Sequence, residues 1–313
     1  MNQISLIRKF PIASIKGLKT APAVSLNGLC SDVFVKSIPK EISMEKVVEN
    51  FQNKLDEMLD NNFEGFEIFA PFNEDERIDF IDYLEEGFSD TETFCMFATG
   101  QKPSVLLSGD LEYIELAKKI NDVDKVTVKV VLGKDEDAFL VNQIFLFNKT
   151  MVQELINDNL ELFKVRLGLT EESSVSKIYE HLISDNGPIA SDGATMKSSY
   201  NDIIGLLLGY PKTSCMIYEL ERRMPNPKLR YSYDLTEYKS ELLKLLKGEN
   251  SPYKNMNREF IKSLADKISS IKDIKRAPAL LGGFEGYPFM YYVEEPDEIL
   301  KIQSRIQETV QRI

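Results

Sequence analysis

Ile203-Ile204-Gly205-Leu206-Leu207-Leu208-Gly209-Tyr210-Pro211-Lys212, continuing through Cys215-Met216-Ile217-Tyr218-Glu219-Leu220, is the most apolar run of the chain. Asn201 or Asp202 can cap a helix at its start, and Ile203, Leu206 and Leu207 follow at helical spacing. Apolar residues fall on nearly every side, the pattern of an element buried all round. The run is far short of the roughly 20 residues a membrane span requires. Gly209 suits the left-handed position after a helix, and Pro211 stops one helix and can open the next. The second helix then has Met216, Ile217 and Leu220 inward and Glu219, Glu221, Arg222 and Arg223 outward. The stretch predicts a buried helical hairpin at the centre of a C-terminal half.

Around it, the periodicity predicts helices over Met151–Phe163, Glu171–Ser184, Leu235–Lys247 and Asn255–Ile271. A last helix starts at Asp297 and Glu298, with Ile299, Ile302, Ile306, Val310 and Ile313 as its apolar stripe. Leu229–Tyr233 and Phe289–Val293 read as short strands, and Asn186 to Ser199 as a long polar loop.

The first half alternates between periods. Ser43 and Asn73 each precede a helical pattern, the second with a capping box and three acids in its first turn. Cys30–Ile38, Phe66–Ala70 and Thr93–Ala98 read as strands. Residues 1–28 show no regular pattern beyond short strands at Ile4–Ile7 and Pro22–Leu26. The clearest unit is the strand Val105–Leu107, the turn Ser108-Gly109-Asp110, the helix Leu111–Ile120 and the strand Val126–Leu132. This order normally makes a parallel crossover. Phe139–Phe147 then returns antiparallel, in a hairpin placed at the sheet edge. The fold class expected is α/β, a mixed sheet with flanking helices over residues 1–149, followed by a mainly helical region over 150–313 with a few short strands. An α+β arrangement is the alternative.

Composition narrows the functional classes. The 313 residues are 43% hydrophobic and 28% charged, with a net charge of −12 and a pI near 4.9. Such an acidic chain is not expected to hold nucleic acid, which selects a basic field, or an anionic membrane. Lys16 and Lys19 interrupt any signal-peptide core, so the expected location is the cytoplasm, with no membrane span. Cys30, Cys95 and Cys215 are widely spaced and suit reduced thiols. With one histidine and no Cys-x-x-Cys, no zinc site is expected, and the sequence names no cofactor. A carboxylate site for Mg²⁺ or Ca²⁺ stays open, with Asp135-Glu136-Asp137 as its nearest motif.

Two constellations carry candidate chemistry. Cys30 with His181 about 150 residues on, oriented by Asp185 or Asp192, has the residue types of a thiol nucleophile, its base and an orienting acid. Against it, Ser31–Ile38 reads as extended and His181 lies in a helical pattern. A ligand site is the other: Ser108 and Gly109 at the C-terminal end of a strand, with Asp192, Gly283 and Glu285 in glycine-bearing loops that admit a close ligand. Ser108-Gly109-Asp110 lacks the dinucleotide fingerprint and equally suits an ordinary helix cap. The sequence therefore predicts a binding or protein-interaction protein with a protein or small-molecule partner. The alternative is a hydrolase or transferase using the Cys30–His181 pair.

Overall fold

The computed structural model describes residues 43–313 except 62, 64–65, 87–89, 110, 121–124, 132–141, 190–197, 227–228, 230–234, 277–280, 282–289 and 293–295. Residues Ile42–Ile313 form one compact unit. The strands predicted before Ser43, the acidic turn at Asp135, and the Leu229–Tyr233 strand from residue 230 on lie outside the described residues.

The described chain is a mixed, α+β arrangement built on a small sheet. Strands β1 (Ser104–Gly109), β2 (Val126–Val131) and β3 (Asn142–Asn148) lie in the order β1-β3-β2, with β3 antiparallel to both neighbours. The expected neighbouring parallel pair is therefore split. β1 and β2 do run the same way, but β3 returns between them and takes the centre rather than the edge. Its sequence suits that place: Ile144, Phe145, Leu146 and Phe147 are all buried, as a central strand covered on both faces requires.

Alternation along the strands divides the interior in two. Val105, Leu107, Val126, Ile144 and Leu146 face one core, closed by α1 (Met44–Asp60), α2 (Glu74–Glu86), α3 (Asp90–Ala98), α4 (Leu111–Lys119) and α12 (Pro296–Arg312). Val131, Phe145 and Phe147 face the other. That core is closed by α5 (Lys149–Asp158), α6 (Leu160–Leu167), α7 (Val175–Ile183), α8 (Asn201–Leu207), α9 (Lys212–Glu221), α10 (Leu235–Lys247) and α11 (Arg258–Ser270). The boundary drawn at residue 149 falls where β3 passes directly into α5. A separate ribbon pairs β4 (Ile274–Arg276) with β5 (Met290–Tyr292).

The apolar run is the expected hairpin, α8 and α9. Gly209 has φ of 85°, and its N–H and that of Tyr210 close the end of α8 on Leu206 and Gly205. Gly205 sits where the two helices meet most closely: a Cβ there would lie 2.7 Å from Cys215 Sγ. The Ser104 hydroxyl donates to Leu207 O at 2.6 Å, tying the hairpin to β1. The outward placement of Glu219 and Glu221 is corrected, since both are buried.

Two other elements differ from the periodic reading. Thr93–Ala98 is part of helix α3, and Phe66–Ala70 holds a 3-10 turn over Glu67–Phe69. Both are short, nearly continuous apolar runs, in which period cannot separate strand from buried helix. The helix expected over Met151–Phe163 is two, broken at Asn159. No helix among the described residues is long and apolar enough to cross a membrane.

Candidate functional site

Among the described residues, a group of ionisable side chains converges beneath the α8–α9 hairpin. Arg166 enters from the last turn of α6, Asp202 from the first turn of α8, Glu219 from α9 and Tyr253 from the loop before α11. The Arg166 side chain is 6% exposed, Asp202 0% and Glu219 1%, so their charges stand in the protein interior. Arg166 Nε donates to Asp202 Oδ2 at 2.6 Å, and Nη2 donates to Asp202 Oδ1 at 3.0 Å and Glu219 Oε1 at 3.1 Å. Arg166 Nη2 also donates to Ser199 O.

The remaining lone pairs are filled from the neighbouring elements. Tyr253 donates its hydroxyl to Asp202 Oδ2 at 2.9 Å. Asn201 donates both its backbone N–H and its side-chain amide to Glu219 Oε2, at 3.0 and 2.9 Å. Arg223 reaches Glu219 Oε1 through Nη2 at 2.7 Å, and with one third of its side chain exposed it carries the network to the surface. A third buried acid, Glu221, accepts from the Tyr238 hydroxyl at 2.5 Å.

Electrostatics within the group follow from burial and pairing. Burial, then the nearby Asp202 charge, raises the Glu219 carboxyl above its usual range against the pull of Arg166. Burial also raises the Tyr253 hydroxyl well above its ordinary value. Burial works against the Arg166 charge, but Asp202, Tyr253 and Glu219 outweigh it and hold the guanidinium above its ordinary value. Two cations face two anions, and every carboxylate oxygen is engaged. Such a saturated cluster fixes four segments in register, and its acids have no lone pair directed at an outside proton.

Of the residues singled out from sequence, those described are not part of this group. His181 is half-buried on α7, and its carbonyl accepts from the Ser184 hydroxyl at 2.8 Å. Asp185 is exposed and its carboxylate is taken by Lys129 at 2.6 Å, which together with that cation's field keeps it below the usual carboxylate range. Ser108 and Gly109 end β1, opposite Gln143 and Asn142 of β3. Cys30, Asp192, Gly283 and Glu285 lie outside the described residues. Cys95 and Cys215 are buried and form no disulfide, and burial pushes Cys95 up to about 12. Among the described residues no three His, Cys, Asp or Glu side chains are grouped to hold a metal.

Sequence reasoning missed the Arg166 cluster. The available signal was polar type at buried spacing: Asp202 and Glu219 interrupt apolar runs on faces that the hairpin must bury.

At the surface the charge is segregated. Residues 41–100 hold seventeen acidic side chains against three basic ones, and they form α1 to α3. Glu45, Glu49, Asp56, Asp60, Glu74, Asp75, Asp79 and Asp82 are exposed there. Residues 244–262, across the sheet at the end of α10 and the start of α11, hold five basic side chains and two acidic. No protein family, curated protein or solved structure matches the chain.

Proposed function

We propose that this chain is a binding protein that works through contact with another protein rather than through catalysis. The observation carrying this reading is the segregation of charge across the sheet, acidic over α1–α3 and basic over the end of α10 and the start of α11. Surfaces of opposite sign steer and orient partners, and a net charge of −12 keeps off nucleic acid everywhere but the basic side. The Arg166 cluster beneath the hairpin supports the reading as scaffold: it holds α6, α8, α9 and the loop before α11 in one arrangement. Buried Cys95 and Cys215, outside any disulfide, suit a reducing compartment such as the cytoplasm.

The competing reading is a hydrolase or transferase with Cys30 as nucleophile and His181 as base. The alkylation rate of Cys30 against pH decides between the two. It is followed in the Cys95→Ala/Cys215→Ala background, with and without His181→Ala. A binding protein gives slow modification with the ordinary thiol profile near about pH 8.5, unchanged by His181→Ala. Fast modification with a depressed profile that His181→Ala abolishes overturns the proposal in favour of the thiol enzyme.

A further inference from the structure

We infer that the groove between the end of α10 and the start of α11 is the contact site for a short acidic segment of a partner protein bearing an apolar side chain. The inference rests on the reading of the chain as a protein-binding protein and names the ligand chemistry. The groove encloses about 580 Å³ and is lined by Leu246, Lys247, Gly248, Glu249, Lys254 and Ile261. That volume is several times what an inorganic anion fills and falls within the usual range for ligand sites.

Its chemistry is mixed in a directional way. Leu246 and half-buried Ile261 give an apolar floor. Lys247 and Lys254 are exposed at the rim. Among the described lining residues Glu249 is the one acid, so carboxylates of a ligand fall to the Lys247 and Lys254 side. Gly248 presents bare backbone between them. A Cβ there would stand 3.2 Å from Lys244 O and crowd the last turn of α10. Arg258 and Lys262 add positive charge along α11, while Lys244 is paired with Glu241 at 3.6 Å.

The walls are fixed before any ligand arrives. Gly248 N–H bonds Leu245 O, Ser251 N–H bonds Gly248 O, and Lys254 N–H bonds Ser251 O, so the connection is a series of closed turns. Beneath it Tyr253 is fully buried and anchored on Asp202 of the ion cluster. Asn257 caps α11 through Phe260 N–H at 2.8 Å and donates to Glu161 of α6 at 2.9 and 3.0 Å. A preformed groove spares the ordering cost that weakens contacts made by loose loops.

The test is a fluorescence anisotropy titration of the full chain into a labelled synthetic peptide of alternating acidic residues and leucine, beside a control peptide with every acid replaced by lysine. Saturable binding of the acidic peptide alone is expected, weakened about tenfold or more by Lys247→Glu/Lys254→Glu, by Ile261→Ser, and by 0.5 M salt. Unchanged circular dichroism of the variants confirms that they fold. No saturation, equal binding by the lysine variant, or equal binding of the control peptide overturns the inference. Competition by heparin that is as strong for Ile261→Ser as for the parent chain marks a plain polyanion site and overturns it too. The Cys30 alkylation is a separate readout, so a failed titration with slow, His181-independent alkylation sinks the groove and leaves the binding reading standing.

Discussion

On the α1–α4 side of the sheet the helices close over rings, and on the α5–α11 side the apolar core also takes in a cluster of charges. Phe63, Phe69, Phe72, Phe80 and Phe94 form a continuous aromatic cluster, with neighbouring centroids 5.3 to 6.3 Å apart and mostly edge-on or tilted. Phe80 and Phe94 are fully buried. Across the sheet, the equivalent central place beneath α8–α9 is held by Arg166, Asp202 and Glu219. Ring packing is forgiving of small shifts and needs no partner of defined polarity. An ion cluster is stable only as a complete set, so it specifies one arrangement of its helices. The half that carries the basic groove is thus the half whose geometry is fixed most narrowly.

The strongest way to break this contrast is to remove one member from each side. Arg166→Leu strands two buried carboxylates and is expected to cost about 3–5 kcal/mol at pH 7 by urea unfolding. Phe80→Ala is expected to cost a similar amount, about 3–5 kcal/mol, by loss of contacts and a cavity. Their pH dependence separates them. A carboxyl whose folded value is raised, as Glu219 is already, binds its proton more tightly in the folded state. Its contribution therefore falls as pH rises through the unfolded value near about 4.5 and continues to fall up to the folded value. Without Arg166 that window widens, so the Arg166→Leu deficit shrinks between pH 7 and pH 5, while the Phe80→Ala deficit stays constant. Parallel deficits for the two variants would show that the cluster is no more specific than the rings.

The same contrast explains what could be read from the chain. Helices with one apolar face were legible: α1 with Val47, Phe51, Leu55 and Met58 inward, and α10 with its bounds at Leu235 and Lys247. Thr93–Ala98 was not, because Phe94 to Phe97 are buried on all sides and leave no period. The split of β1 and β2 by β3 was hidden because local order fixes direction but not which strands become neighbours. The Arg166 cluster joins residues 36 and 53 positions apart. Each of them, taken alone, has the look of a solvent-facing charge on a helix. Only the packing of α8 on α9 turns Glu219 inward.

That packing gives the next test. Gly205→Ala would place a methyl 2.7 Å from Cys215 Sγ, forcing α8 from α9 and disturbing Asp202 and Glu219 on the two helices. A loss of about 1–3 kcal/mol is expected. Cys215→Ala in the same chain removes the opposing sulfur, so the double variant should regain most of the loss beyond the cost of Cys215→Ala alone. Additive losses would mean that the close approach is not what the glycine serves.

Lys102 sharpens the comparison from the junction of the two sides. It is 2% exposed in the turn between α3 and β1, with its ammonium 5.9 Å from the ring centre of Tyr210 at the α8–α9 turn. Burial, with the repulsion of Arg305, lowers it to about 7. Between that value and the unfolded one near about 10.5 the unfolded chain holds more protons, so stability from this group rises with pH across the window. At or below pH 7 the folded chain bears the full burden of a buried ammonium. Lys102→Met keeps the length of the side chain and removes the charge. It is expected to raise stability by about 1–3 kcal/mol at pH 6, with the gain fading toward pH 10. Thermal unfolding at the two pH values checks it. A gain at pH 6 that fades would show that the junction, unlike the Arg166 cluster, holds its charge at a net cost. A loss at both would place Lys102 with Arg166, as a cation whose partners outweigh its burial.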